Sequence, residues 1–471
     1  MSDAKENMAL LLQSETDFGL SILRQQNISE SLVFSPLSIA LALSLVHVAA
    51  KGETRDEIRN ALVKGATDEQ LEQHFANISA ALLAAEKGTQ VNIANHVFSK
   101  SGFDIKQSYL DEVKKLYNAG ATPLDFNNQE ASAEAINDFV RKNTGDHIKK
   151  IISPDAISPD LRAVLTNALY FKADWRNKFK PESTFDALFY TAEDVKRKIP
   201  FLRETAVNRQ YAEDDEFQVL TLPYKDETFA MSIFLPKTRF GLSAALENLN
   251  AAKIQHLLSN TSNTMVTVKI PKWKIETALN LKEALQAVGI KKAFDQSADL
   301  GNMAEELFVS SVTHKALIEV DEDGTKAAAA TTVSISLKSA FFPMEEPKNF
   351  IADHPFLFVL SNNNHPLFVD EDGTKAAAAT TVSISLQSVF FPKEEPKNFI
   401  ANHPFLFVLS NNNHPLFVDE SGTVAAAATI VMMNRSRPRP VQSIDFYADH
   451  PFLFTLQLRT SILFFGVFSP K

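Results

Sequence analysis

A 49-residue block near the C-terminus is written almost identically twice and a third time in worn form. Residues 320–368 and 369–417 differ only at Lys338/Gln387, Ala340/Val389, Met344/Lys393 and Asp353/Asn402. The third copy, 418–471, keeps the opening "VDE", the Gly-Thr pair and the alanine run. It diverges through "RSRPRP" and returns at "ADHPFLF", Ala448 to Phe454. Solenoid repeats share a pattern while their letters drift. Near-identity points to duplication instead, or to alternative terminal segments read in series. Removing two copies leaves 471 − 98 = 373 residues, and no Pro/Gly/Ser-rich linker divides them. The expected organisation is one domain over 1–471, with tandem copies at 320–368, 369–417 and 418–471, two of them surplus.

Outside the repeats the patterning is mixed. Helical periodicity dominates to about Lys150, broken by a strand-like "VNIANHVFSK" from Val91 to Lys100. Within it, Ser35 stands as a cap and Pro36 at the first turn of the apolar segment Ser35 to Ala50, which reads as a buried helix. Strand-like runs follow in "AVLTNALYFKADW", "FAMSIFLP", "MVTVKIPKWKIE" and "LFVSSVTHKALIEV", with helical "LSAALENL" and "LNLKEALQAVGI" between them. Helices first and strands later predict an α+β fold with largely antiparallel sheets.

Composition excludes several classes of function. A net charge of -10 argues against nucleic acid or an anionic membrane as partner. With no cysteine there is no disulfide frame, thiolate nucleophile or Cys-type zinc site. No two of Ser35, Ser38, Asn167 and His314 show metal-ligand spacing, and no metal and no cofactor is expected. The N-terminal apolar run, Met8 to Leu12, is too short for a secretory signal. Together with the missing cysteines this points to the cytoplasm, with the extracellular space as the alternative. The triplets beginning at Asn27, Asn77, Asn260 and Asn434 are read as chance. No phosphate-cradling loop, nucleophile elbow or metalloprotease helix is present.

Six strings carry a resemblance: "VFSPLSIALALSLVHVAAKGET", "LTNALYFKADWRNKF", "LPYKDETFAMSIFLP", "VKIPKWKIET", "LFVSSVTHKALIEVDEDGTKAAAAT" and the closing "ADHPFLFTLQLRTSILFFGVFSP". In this order and spacing the chain resembles the serpin family from end to end, apart from the surplus 98 residues. The resemblance implies the serpin fold: three mostly antiparallel β-sheets, surrounding helices and an exposed reactive loop. It also implies a monomer that inhibits serine proteases. In such an inhibitor a protease cuts the loop, whose first part then enters the largest sheet as a new strand.

The implied hinge comprises Gly324, Thr325, Ala327, Ala328, Ala329 and Ala330, with counterparts at Gly373, Gly422 and Thr423. Its letters suit that movement. Gly324 permits a sharp turn, and the alternating positions Thr325, Ala327, Ala329, Thr331 and Val333 are small or β-branched. From propensity alone, the alanine run also suits a helix before cutting. The reactive bond, fourteen residues beyond the hinge glycine, is Lys338-Ser339 in copy one and Gln387-Ser388 in copy two. In copy three the same count gives Ser436-Arg437, which Pro438 disfavours, and the alternative one residue earlier is Arg435-Ser436. A basic residue before the bond implies a trypsin-like protease as covalent partner. Four residues match the polar "shutter" beneath the inserting strand: Ser35, Ser38, Asn167 and His314.

Two other readings stand beside inhibition: a non-inhibitory binding or chaperone module, and a non-functional concatenation of loop cassettes. Copy one is expected to supply both the inner strand and the working loop, because "NNHPLFV" places Pro366 and Pro415 in the strands entering copies two and three. The surplus residues are then expected to leave the fold as an excursion from the turn Ser361 to His365.

Overall fold

The computed structural model describes residues 2–27, 31–83, 89–158, 161–322, 347–361, 373–386, 425–435, 453–458 and 461–467. The first third is helical: α1 (Ser2–Arg24), α2 (Pro36–Ala49), α3 (Gly52–Leu62), α4 (Asp68–Leu83), α5 (Gln107–Tyr117) and α6 (Gln129–Asn143). Strands β1 (Leu32–Phe34), β2 (Thr89–Lys100) and β3 (Gly120–Leu124) lie among them. The middle is strand-rich, with β4 (Leu161–Asp174), β5 (Phe185–Ala192), β6 (Val195–Glu213), β7 (Phe217–Pro223) and β8 (Ala230–Pro236). Then α7 (Leu242–Asn248), α8 (Ala251–Ser259) and α9 (Lys282–Ala287) are interspersed with β9 (Ser262–Pro271), β10 (Trp273–Asn280) and β11 (Leu307–Val320). The repeats supply β12 (Lys348–Ile351), β13 (Leu357–Ser361), β14 (Gly373–Leu386), β15 (Ala425–Arg435), β16 (Leu453–Leu458) and β17 (Ser461–Val467).

Helix α2 forms as its sequence dictates. Ser35 Oγ accepts from the Ser38 amide, Pro36 occupies the first turn, and every residue of the helix is buried. A helix apolar all round belongs inside a core, and α2 packs against β4, β14 and β17.

Seven strands run in the order β10-β11-β14-β15-β4-β2-β3, and ten more form a second sheet that includes β1, β5 to β9, β12, β13, β16 and β17. Neighbours are antiparallel except β2 with β3, β9 with β12, and two repeat-to-repeat matches described below. The α+β architecture is as expected. The hydrogen-bonded sheets are two among the described residues, not three. The 19-residue β6 pairs with β5, β7 and β9, and so joins strands that would otherwise belong to separate sheets.

The expected excursion does not hold. Strand β11 leads into copy one and ends at its first residue, Val320, but residues 373–386 of copy two lie inside the seven-stranded sheet as β14, and residues 425–435 of copy three lie there as β15. The expectation tied each loop to its own entering strand. The sheet instead takes its inner strand from the segment that leads into copy one and its alanine-run strand from a later copy. Pro366 and Pro415 fall outside the described residues, so they oppose neither placement. The alanine runs of copies two and three are strands; that of copy one lies outside the described residues.

Candidate functional site

The site is a strand position between β11 and β4. One edge of β4 is filled by β2, from Thr89 opposite Ala173 to Ser99 opposite Ala163. The other edge pairs with β14 and, in the same register, with β15. Asn167 lies opposite both Thr380 and Thr429, Leu165 opposite both Val382 and Val431, and Tyr170 opposite both Ala377 and Ala426. The offset is the 49-residue repeat itself. β14 and β15 also match in parallel with that offset, Ala378 beside Ala427 and Val382 beside Val431. An antiparallel edge offers one ladder of N–H and C=O groups. The two strands are therefore alternative occupants of one position.

Beneath that position lies a polar cluster, wholly buried. Ser35, Ser38, Asn167, His314 and Thr380 are all 0% exposed. Ser38 Oγ donates to Asn167 Oδ1 at 2.7 Å, which uses its only proton. Thr380 Oγ1, 2.5 Å from Ser38 Oγ, must then be the donor to it. That leaves Thr380 Oγ1 free to accept from His314 Nδ1–H at 3.2 Å. The ring's other nitrogen, Nε2, accepts from the Ser35 amide at 3.0 Å. At the far end Asn167 Nδ2 donates to Asn95 Oδ1 at 2.9 Å, and Asn95 Nδ2 donates to the Tyr117 carbonyl at 2.9 Å. Every hydrogen bond in the chain runs one way, which fixes the histidine tautomer and leaves no place for a methyl at Thr380 Oγ1. Two residues on from Thr380, Val382 is also fully buried.

The upper end of the position is held by residues that the strand patterning does not reveal. Trp175 stacks on Tyr224 with ring centroids 4.6 Å apart and planes at 9°. Its Nε1 donates to the Asp321 carbonyl at 3.1 Å. Glu322 pairs with Lys272 at 2.7 Å and accepts from Thr184 Oγ1 at 2.6 Å. Burial pushes the Glu322 carboxyl up, but Lys272 and Thr184 outweigh it and hold it below the usual carboxylate range. The residues that open copy one are thus anchored. The sequence signal for this was the "VDE" that opens each copy.

The structure brings the four sequence-selected residues Ser35, Ser38, Asn167 and His314 together, and adds Asn95 and Thr380. Gly373 begins β14 opposite Asp174, and Arg435 is the last residue of β15. Gly324, Thr325, Ala327, Ala328, Ala329, Ala330, Gly422, Thr423, Lys338, Ser339 and Ser436 lie outside the described residues. Among the described residues no group of three His, Cys, Asp or Glu is placed to hold a metal. No helix among them is long and apolar enough to cross a membrane.

The family described as Serpin (serine protease inhibitor) matches residues 13–369, 366–418 and 413–470. The chain is a serpin. The second and third matches each restart one copy further on, so the repeats are serpin sequence throughout. Neuroserpin from Mus musculus is 31% identical over 355 residues, 72% of this serpin and 84% of its own length. Serpin B4 from Homo sapiens is 32% identical over 379 residues, 76% and 96% of the two chains. Among solved structures, Cleaved Serpin 42Da superposes with a TM-score of 0.67 at 27% identity, covering 82% of this serpin and 100% of that chain. Tengpin in the native state gives 0.66 at 26% identity, covering 74% and 90%.

Proposed function

We propose that this serpin inhibits trypsin-like serine endopeptidases by suicide-substrate trapping. Family membership supports protease inhibition in general; the mechanism and the target class are our reading. The observation that carries it is the strand position between β11 and β4. It accepts a Gly-Thr-Lys-Ala₄-Thr-Thr-Val sequence, with Thr380 completing the buried hydrogen-bond chain and Val382 in the core. Copy one carries the same letters at 324–333.

In this scheme the protease serine oxygen attacks the Lys338 carbonyl carbon. The Lys338-Ser339 amide breaks, Ser339 leaves as an amine, and Lys338 remains bound to the enzyme as an ester. Insertion of the freed hinge into the sheet carries the enzyme away before water can cleave that ester. The state with the position open is the metastable one, persisting because the uncut loop is held at both ends. Ser35, Ser38, Asn167 and His314 act as the shutter, handing hydrogen bonds to the entering threonine.

A second reading has one observation in its favour. The position is occupied by another copy's strand without any cut in the chain, which suits a non-inhibitory serpin. Incubation with a trypsin-like protease separates the two. A covalent complex that survives SDS supports inhibition, and cleavage without complex, also in a chain whose spare strands are barred from the position, supports the second reading.

A further inference from the structure

We infer that the position between β11 and β4 is a binding site for this chain's own spare strands, held alternately by copy two and copy three and therefore closed to the loop of copy one. The inference rests on the inhibitory reading for its functional consequence, but not for its geometry. Three observations carry it.

The first is the shared register. β14 and β15 meet the same residues of β4 with a constant offset of 49, and both also pair with β11, Ile318 opposite Ala376 and Leu317 opposite Ala426. The second is a related crowding in the other sheet. β13 of copy one pairs with Phe465 to Val467 of β17, β16 of copy three with Ser461 to Phe464, and Leu360 lies parallel beside Leu456. On β4, by contrast, β14 and β15 claim the same residues, and one edge takes one partner at a time.

The third is chain length. Copy one's loop is tied to β11 at Val320 and to β12 at Lys348, and β12 lies beside β9, whose end leads through Lys272 into Trp273 opposite Val320. A strand like the 14-residue β14 is about 46 Å long. Laying residues 324–337 down in that way leaves ten residues, 338–347, to return to Lys348. They reach about 36 Å at most. With Lys348 held in β12, an uncut copy one has only these ten residues for the return. Copy two has 66 residues, 387–452, between β14 and β16, so it fills the position with no bond cut. The intact chain is thus supplied with the strand that trapping would otherwise add.

The chain has no cysteine, so engineered pairs report occupancy cleanly. Lys172 lies opposite Lys375, whose counterparts in copies three and one are Val424 and Lys326. In the full chain, Lys172→Cys is combined in turn with Lys375→Cys, Val424→Cys or Lys326→Cys and oxidised. The expected result is cross-linking to 375 and 424 in separate molecules, with yields that together approach the whole population, and background at 326. Cross-linking chiefly to 326, or to none of the three, overturns the inference whatever the protease experiment gives.

A second arm uses the full chain carrying Thr380→Arg and Thr429→Arg. Each arginine puts an unpaired charge under the sheet and bars its own copy, leaving copy one untouched. The double variant is expected to form at least ten-fold more SDS-stable complex with a trypsin-like protease than the wild type. Equal trapping by both overturns the inference. Cross-links at 375 and 424 with no trapping by either chain leave the occupancy standing and overturn the inhibitory reading. The cross-linking arm does not depend on the double variant folding.

Discussion

Thr380 Oγ1 lies 3.2 Å from His314 Nδ1, so a residue from copy two completes the hydrogen bonding of a histidine on β11, upstream of all three copies. Changing Thr380 to Val should leave a buried Nδ1–H without its acceptor, a loss of about 1–3 kcal/mol in a chain that has no substitute strand. Here Thr429 of copy three is the substitute. Thr380→Val alone is expected to lower the urea midpoint only slightly, Thr429→Val likewise, and the double variant by much more than the sum. Additive losses would mean that the copies do not replace one another.

Trp175 should matter through two separable contacts. Trp175→Ala removes a fully buried ring and its stack on Tyr224, at a cost of about 3–5 kcal/mol. Trp175→Phe keeps an aromatic ring but loses the tether to the Asp321 carbonyl, and should cost less. Only Trp273 remains in either variant, so fluorescence during denaturant unfolding also reports that residue's own surroundings.

The acid limb of stability should depend on Asp68. Burial pushes its carboxyl up, but Arg59, His47 and Arg55 outweigh burial and bring it down to about 2. Arg55 approaches at 2.6 Å and Arg59 at 2.7 Å, clamping α3 to the start of α4. A carboxyl depressed in the folded state contributes stability above its unfolded value near 3.8, and that contribution fades as pH falls towards 2. Asp68→Asn should therefore lower the melting temperature at neutral pH and flatten the decline between about pH 4 and 2. An unchanged acid limb would remove Asp68 from the clamp.

The bait bond is expected in copy one. Lys338→Ala should reduce complex formation with a trypsin-like protease by at least ten-fold in the Thr380→Arg/Thr429→Arg background, while Arg435→Ala leaves it unaltered. Loss with Arg435→Ala alone would move the bait to copy three.

Much of this architecture was legible in the letters. Ser35 and Pro36 marked the start of α2, and "LFVSSVTHKALIEV" coincides with β11. Other parts were legible only in outline. "MVTVKIPKWKIE" reads as one run, yet Pro271 ends β9 and the Lys272 amide turns to the Pro200 carbonyl, sending β10 into the other sheet. β6 was hidden because much of "VKRKIPFLRETAVNRQYAE" is exposed and charged, and its strand character comes from its neighbours. The polar cluster was found by likeness to a family, since buried serines and asparagines have no period of their own. Which copy holds the sheet was beyond reach, because copies one and two share the whole hinge. What separates them is distance along the chain to the next fixed point.

Forty-nine residues is also an interval of time. Chains leave the ribosome at about 5–20 residues per second, so copy three follows copy two by about 2–10 s. β4 and β11 are upstream of both, and their edges exist when copy two arrives. Copy one comes earlier still, but β12 draws its far end back. Newly made protein should therefore be rich in the copy-two form, whatever ratio the two forms reach later. Holding fresh protein at a temperature where strands exchange would let "TTVSISL" and "TIVMMNR" be weighed against each other on energy alone. Order of birth and order of stability then become two measurable numbers for one molecule.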